Sequence, residues 1–349
     1  MKNKSARFAA WLQAAFVVIG SVVGAGFISG GELVRFFPSS NYLPYVYVAG
    51  VLFFIYFALL LICGKKFGGF EGTVATVFKR LAPAVRAVFF ACCFVISATM
   101  LAGIDSVFWQ GFGIPKTIPV FSAAILVAVC FICRKGMNGI GKVNFVLVPC
   151  IILFVVALAF TKERGEYGFT VSDGPTGMAL VMLYVSMNAF LAAPVICDLG
   201  KEAPALPVSL TASFFISLCA ALILGIICRE GANALKADMP LLYAVSGRGA
   251  ALGKIFSLVC LFGIVTTLFS SYYPLHAALE KCKRRELFRI LACLAALALA
   301  RVGLKGIIDT VYPVLGAFGL IFGAFCAAKL WRAERKQALK KSKNGRIAR

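Results

Sequence analysis

Long apolar runs follow one another along almost the whole chain. Ten can be delimited, at residues 8–37, 43–63, 84–109, 117–133, 143–160, 177–199, 206–228, 251–276, 287–303 and 307–330. About 20 apolar residues cross the hydrocarbon of a bilayer. Backbone groups in hydrocarbon need partners inside their own segment, so each run must be helical. The sequence therefore predicts an all-α polytopic membrane protein of about ten transmembrane helices, called segments one to ten here.

Composition excludes the other classes of protein. Hydrophobic residues make up 61% of the chain and charged residues 14%, whereas about 25% of an ordinary soluble domain is charged. The chain has a single histidine, His276, and Asp105 has no second mid-span aspartate to pair with. Neither a hydrolytic triad nor an intramembrane aspartyl protease is therefore expected. We predict that the protein is not an enzyme and has no resident cofactor.

The net charge of +22 has a topological explanation. On a soluble chain it would suggest nucleic acid as the partner. When the segments alternate in direction, 26 of the 36 Lys and Arg residues fall on the side of the N-terminus. Positive residues concentrate in cytoplasmic loops, so both termini are predicted to be cytoplasmic. The expected partner is the lipid bilayer and not nucleic acid.

Segment one contains a cluster of glycines. Five occupy residues 20–31, and Glu32 follows them. Each glycine costs about 1 kcal/mol in a helix relative to alanine. Close helix packing would use one or two of them. Five at mid-membrane depth predict an interrupted helix, which is tolerated in a membrane only where it lines a cavity or holds a ligand.

Segment six carries a second, weaker sign of interruption. Asn188 is an amide in mid-span, and Pro194 removes one helical hydrogen bond. Interrupted helices at matching positions of two halves are typical of transporters built from inverted repeats. We therefore expect one five-helix repeat at residues 1–160, an inverted repeat at 161–330, and a basic cytoplasmic tail at 331–349.

Segment eight offers oxygen ligands on one face. Gly263, Thr266 and Thr267 are spaced i, i+3 and i+4, so they share a side of the helix. Their oxygens suit a small hard cation. Each hydroxyl could equally bond back to its own helix, and spacing alone does not decide between the two.

The run from Gly20 to Gly26, followed by Glu32 and Phe36-Phe37, resembles the start of the YkvI-like bacterial membrane proteins. That family is similar to the amino acid–polyamine–organocation superfamily and to the sodium-coupled LeuT-like symporters. The resemblance implies two inverted repeats of five helices each, with substrate held at breaks in helices one and six. It also implies location in the bacterial cell membrane.

The resemblance further implies one sodium site as the coupling ion. Its ligands would be Gly20, Val23, Gly263, Thr266 and Thr267. Phe27 occupies the position of the asparagine that serves a second sodium in the family, so coupling to one ion is expected. Segment five has no lysine in its membrane part, residues 145–160, which favours sodium over a built-in ammonium with proton coupling.

A substrate site is implied at the two breaks. Its expected residues are Gly24, Ala25, Gly26, Phe27, Ser186, Met187, Asn188 and Phe190. The amides of residues 24–26 would hold a carboxylate, because the start of a half-helix is electropositive. The aromatic and methionine side chains would be apolar walls or ordinary core.

Three ionisable residues lie in or near the apolar spans. Glu32 and Arg35 are spaced i, i+3 and could pair with each other, or act as an outer gate, with Glu32 as a proton acceptor. Asp105, near the outer end of segment three, either reaches water or meets a substrate amine. Charges inside a membrane are costly, so each is a functional candidate.

These features predict a secondary transporter. We expect sodium-coupled symport of an amino acid or related small amine-bearing solute by alternating access. Two alternatives stay open on the sequence. One is a ligand-sensing receptor subunit of the same fold, similar to germinant receptors, and the other is a proton-coupled transporter.

Overall fold

The computed structural model describes residues 2–38, 41–116, 119–134, 149, 153–158, 175–280 and 282–347, with side chains for all of these except 2–10, 25, 175 and 336–347. The described residues are mostly helical and contain no strand. The helices are α1 (Lys2–Val22), α2 (Ala25–Ser29), α3 (Gly31–Phe36), α4 (Tyr42–Phe67), α5 (Gly69–Phe78), α6 (Ala82–Phe112), α7 (Val120–Arg134), α8 (Pro175–Leu199), α9 (Ala205–Arg229), α10 (Ala232–Lys236), α11 (Pro240–Gly247), α12 (Ala250–Leu279), α13 (Arg285–Ala300), α14 (Leu304–Thr310) and α15 (Tyr312–Ile347). The all-α prediction is confirmed.

The membrane spans follow from length and hydropathy. Within the described residues, six stretches are long and apolar enough to cross a bilayer, and they contain α4, α6, α8, α9, α12 and α15. Two shorter apolar helices, Trp11–Val22 and α7, correspond to segments one and four. Segment five lies mostly outside the described residues. The part of it that the structure describes, residues 149 and 153–158, is helical. The polytopic architecture is therefore confirmed.

Segments nine and ten differ from prediction. Segment ten begins at Tyr312 and not at residue 307, because residues 304–310 form the separate helix α14, bent by 92° from α13. The helix α15 then continues to Ile347, through most of the predicted tail. Short helices α5, α10 and α11 also occur where the sequence suggested loops.

The interruption of segment one is confirmed, and there are two breaks instead of one. At the first break, the Gly24 amide donates to Val22 O at 2.8 Å, and regular bonding resumes where the Ile28 amide donates to Gly24 O at 3.0 Å. The second break is at Gly30, whose φ of 78° is in the left-handed region that favours glycine. The clustered glycines thus divide the segment into α1, α2 and α3.

Segment six does not unwind, and the expectation of a break there is wrong. The helix α8 is continuous from Pro175 to Leu199 with Pro194 inside it. Close backbone packing explains this. A Cβ at Gly316 of α15 would lie 2.5 Å from Leu183 O, and one at Gly319 would overlap Ser186 O. Because the backbone of α8 is held against its neighbour over this length, the loss of one hydrogen bond at Pro194 does not break the helix.

Close contacts between glycines and backbone carbonyls also hold α8 against α4. A Cβ at Gly64 of α4 would overlap the carbonyl of Cys197, and one at Gly200, just after α8, would overlap the carbonyl of Leu61. Each helix thus presents a glycine to the backbone of the other. Segment six is therefore a fixed element between segments two and ten, against which segment one is placed.

We predict that Gly319→Ala lowers the thermal midpoint of the protein purified in detergent. The added methyl group meets a backbone carbonyl that cannot move aside, which costs about 1–3 kcal/mol. Gly103→Ala is the matched control, because a Cβ there meets only Ile264 Cδ1 at 3.4 Å. Equal midpoints for the two variants would contradict this account of α8.

Candidate functional site at the breaks of segment one

The first break lies against segment eight. A Cβ built at Gly24 would be 3.1 Å from Thr267 Oγ1, and one at Gly263 would be 3.0 Å from Ile28 Cδ1. Because the Gly24 amide bonds to Val22 O, it is directed away from Gly20 O, its partner in a continuous helix. The structure thus brings an interrupted backbone and a hydroxyl of α12 together, as a cation site between these elements requires.

The two threonines of α12 also bond to their own helix. Oγ1 of Thr266 donates to Gly263 O at 3.0 Å, and Oγ1 of Thr267 donates to the same carbonyl at 2.9 Å. A hydroxyl that donates its proton keeps lone pairs that can face a cation. The local bonding therefore orients the hydroxyls without excluding the sodium site, which stays a prediction.

The second break is closed by Ser29. Its hydroxyl donates to Gly26 O at 2.9 Å and accepts from the Gly31 amide at 3.2 Å. Past this turn, Glu32 folds back until its carboxylate covers Gly26, so that a Cβ at position 26 would overlap Oε1. Only 7% of Glu32 is exposed. A carboxylate is thus buried directly against the interrupted stretch.

Two tyrosines that the sequence reasoning missed face this carboxylate. Tyr184 of α8 and Tyr312 of α15 are fully buried, and neither hydroxyl has a hydrogen-bond partner in the described part of the chain. Both phenols interact electrostatically with Glu32. The available signal was the spacing of Tyr184 and Asn188, four residues apart and so on one face of segment six.

The predicted residues of segment six are divided between two environments. Nδ2 of Asn188 donates to Tyr184 O at 3.0 Å, so this mid-span amide uses one of its donors within its own helix. Ser186 instead donates to Gly316 O at 2.8 Å, and the ring of Phe190 lies 5.1 Å from that of Phe322. Ser186 and Phe190 therefore pack against segment ten.

Met187 and Phe27 are both buried. The backbone amide of Met187 is 3.1 Å from a Cβ built at Gly319, so this residue belongs to the contact between α8 and α15. Phe27 is fully buried within α2, between the two breaks. Its role as a wall of the predicted pocket stays a prediction.

Arg35 does not pair with Glu32, and that alternative is wrong. Nε of Arg35 forms an ion pair with Oδ1 of Asp309 in α14 at 3.0 Å. The reason is that Glu32 turns inward over Gly26 while Arg35 stays at the end of α3. The ion pair ties α3, the last part of segment one, to the helix that precedes segment ten.

Asp105 has cationic neighbours of its own. It interacts with Ser122, and also with the charges of Arg301 and Lys116. Arg301 in turn donates to Lys116 O at 2.9 Å, so these groups form one cluster at the end of segment three. The protein therefore supplies cations to Asp105, and the role of substrate-amine partner gains no support here.

Cavities open at both ends of α8. One of about 510 Å³ lies at its start and is lined by residues that include Arg35, Gly177, Asp238 and Asp309. Another of about 1030 Å³ lies near its end, between the N-terminal half of segment one and the ends of α4 and α8. The breaks and Glu32 belong to segment one, which contributes residues to both cavities.

The comparisons with known proteins concern the whole chain. YkvI of Bacillus subtilis (strain 168), described as an uncharacterized membrane protein, is 25% identical over 94% of this chain and 97% of its own length. It is a relative of the kind that the opening motif of segment one indicated. No protein-family model matches the chain.

Solved structures agree with the fold. The manganese transporter of Eremococcus coleocola, in complex with an aromatic bis-isothiourea substituted compound, has a TM-score of 0.55 at 13% identity, covering 93% of this chain and 77% of that one. A mutant of that transporter has a TM-score of 0.54 at 12% identity with the same coverage. This chain has the fold of a polytopic membrane transporter. The solved structures that it resembles are those of a membrane transporter and not of an enzyme.

We predict a small but measurable coupling between Arg35 and Asp309. The two side chains are 33% and 40% exposed, so the pair should contribute about 0.2–1 kcal/mol to the free energy of unfolding. A double-mutant cycle of Arg35→Ala and Asp309→Ala in detergent measures it. Arg35→Ala combined with Glu286→Ala is the control and should be additive, since Glu286 pairs with Arg134. Additive effects in both cycles would show that Arg35 and Asp309 are not coupled.

Proposed function

We propose that this protein is a secondary active transporter that takes up an amino acid or related small amine-bearing solute by symport with sodium. The observation that carries the proposal is the first break of segment one, held against Thr267 of segment eight. An interrupted helix in a membrane frees carbonyl and amide groups at one depth. Those groups can bind the opposite charges of a zwitterion and of a coupling ion.

The cavities at the two ends of α8 support alternating access. A transporter needs a path to its site from each side of the membrane, but not both at once. The continuous helix α8 is locked to α4 and α15 through glycine contacts, whereas segment one is divided into three short helices. Segment one is therefore the element suited to move, and the Arg35–Asp309 pair is suited to act as its outer gate.

Manganese is the cargo of the transporter whose solved structures share this fold, and it is the second candidate. Proteins hold Mn²⁺ and other transition-metal ions with clusters of His, Cys, Asp or Glu. No group of three or more such residues that could hold a metal occurs among the described residues. Among the described residues Glu32 forms no ion pair, and two neutral phenols interact with it electrostatically. The residue chemistry therefore favours an organic solute over a divalent metal.

The decisive test of the proposal is uptake by proteoliposomes. A panel of labelled amino acids is offered with an imposed sodium gradient or an imposed proton gradient. We expect accumulation driven by sodium and at least tenfold slower uptake by Thr267→Ala, because a coordinating oxygen is lost from the ion site. Ser270→Ala is the matched control, since Ser270 is exposed on the same helix and bonds to its own carbonyl, Thr266 O, at 2.9 Å.

Other outcomes of this experiment assign other functions. Uptake driven by protons with Thr267→Ala fully active would refute the sodium site. Binding of an amino acid without uptake would favour a ligand-sensing membrane protein. Uptake of manganese in place of amino acids would establish the second candidate.

We also propose that both termini are cytoplasmic, on the basis of the distribution of Lys and Arg. In a bacterial host, a C-terminal fusion to green fluorescent protein should fluoresce, and the same fusion to alkaline phosphatase should be inactive. A truncated fusion after Lys116, between segments three and four, should show the opposite pattern. A phosphatase that is active at the C-terminus would reverse the orientation.

A further inference from the structure

Glu32 is a buried acid for which the protein provides no cation. It is 7% exposed and forms no ion pair and no side-chain hydrogen bond with any residue that the structure describes. Other acids near the same end of the molecule are paired, Asp309 with Arg35 and Asp238 with Lys116. A buried carboxylate is costly unless a positive charge accompanies it. Glu32 therefore has no compensating positive charge among the described residues.

The position of Glu32 is built by its surroundings. The left-handed turn at Gly30 reverses the chain, and the absence of a side chain at Gly26 leaves the space that the carboxylate occupies. A Cβ at Gly26 would overlap Oε1 of Glu32. The carboxylate therefore lies at the second break, in the centre of the interrupted stretch, and is not free to extend into solvent.

Two further groups at this point lack partners. The hydroxyls of Tyr184 and Tyr312 are fully buried, and both interact electrostatically with Glu32. Asn188 lies near the first and Thr99 near the second, but neither completes a hydrogen bond of standard geometry. An unsatisfied buried hydroxyl costs about 1–3 kcal/mol, so such groups are rare in proteins. Three elements, α3, α8 and α15, thus each direct one unsatisfied oxygen group to the same region. Together they require a ligand that is positively charged and donates hydrogen bonds.

The number and setting of these oxygens select the kind of cation. A hard metal ion takes about six oxygen ligands, and the described side chains that meet here supply one carboxylate and two phenols. The ring of Tyr184 is surrounded by the rings of Phe37 at 5.3 Å, Phe36 at 5.6 Å and Phe53 at 6.1 Å. An organic ammonium suits such a site, because it donates up to three hydrogen bonds and is attracted to aromatic faces.

We propose that Glu32, Tyr184 and Tyr312 form the site for the protonated amine of the solute. This inference rests on the proposed function and assigns the amine end of its substrate. Glu32 is the counter-ion and determines specificity, while the phenols orient the ammonium group.

Binding is tested on the purified full-length protein in detergent by thermal stabilisation. Three probes are compared. Norleucine carries both an amine and a carboxylate, hexylamine carries the amine alone, and hexanoate carries the carboxylate alone. We expect norleucine and hexylamine to raise the melting temperature of the wild-type protein and hexanoate to leave it unchanged. In Glu32→Gln, the concentration of either amine that gives half-maximal stabilisation should rise by about tenfold or more, because a charge-assisted hydrogen bond is lost.

Matched variants separate binding from folding. Glu32→Gln should melt at a higher temperature than the wild type without ligand, since it removes an unpaired buried charge. Tyr312→Phe should weaken amine binding about threefold. Glu334→Gln and Tyr47→Phe are the controls, because both residues are exposed, Tyr47 by 72%, and these variants should respond like the wild type.

Three results would overturn the assignment. In the first, neither amine raises the melting temperature of the wild type. In the second, folded Glu32→Gln is stabilised by the amines as much as the wild type, and in the third, the stabilisation that depends on Glu32 changes with proton concentration and not with amine concentration. The proposed function fails separately. Amine binding through Glu32 without uptake by proteoliposomes would leave this site standing and reject transport, whereas sodium-driven uptake unaffected in Glu32→Gln would do the reverse.

Discussion

Hydrocarbon offers no hydrogen bonds, so every break in a membrane helix must be satisfied from within the protein. Segment one has two such breaks, and much of the structure around them answers this requirement. Thr267 of α12 lies against Gly24 at the first break, and the Ser29 hydroxyl bridges the second. Helix-interrupting glycines are thus accommodated only because particular neighbours are present at the same depth.

Segments one and six meet this requirement differently. Segment one is divided into three helices, while segment six is continuous and is fixed on two sides by glycine contacts with α15 and α4. The continuous helix is thus held rigidly by its neighbours, and the interrupted segment is the easier one to deform. This asymmetry suits the alternating access that we propose.

The charges also divide into two kinds. Arg35, Asp309, Lys116 and Asp238 neutralise one another in ion pairs near the ends of the helices, where they hold α3, α14 and the α10–α11 connection in place. Glu32 is buried and has no cation among the described residues. Paired charges define structure, whereas an unpaired buried charge beside two unsatisfied phenols is what remains available for a ligand.

Local patterns in the sequence were sufficient for several features. Apolar length predicted the helices, and the glycine cluster predicted that segment one is interrupted, because both are properties of a single stretch of chain. What depended on distant residues was decided only by the tertiary structure. Pro194 was expected to break segment six, but glycines on α15 and α4 hold that helix straight. Pairing of Arg35 with Glu32, three residues away, was one open alternative, yet Arg35 pairs with Asp309, 274 positions along the chain. The meeting of Tyr184 and Tyr312 at Glu32 likewise depends on three separate helices, a convergence that no local pattern encodes.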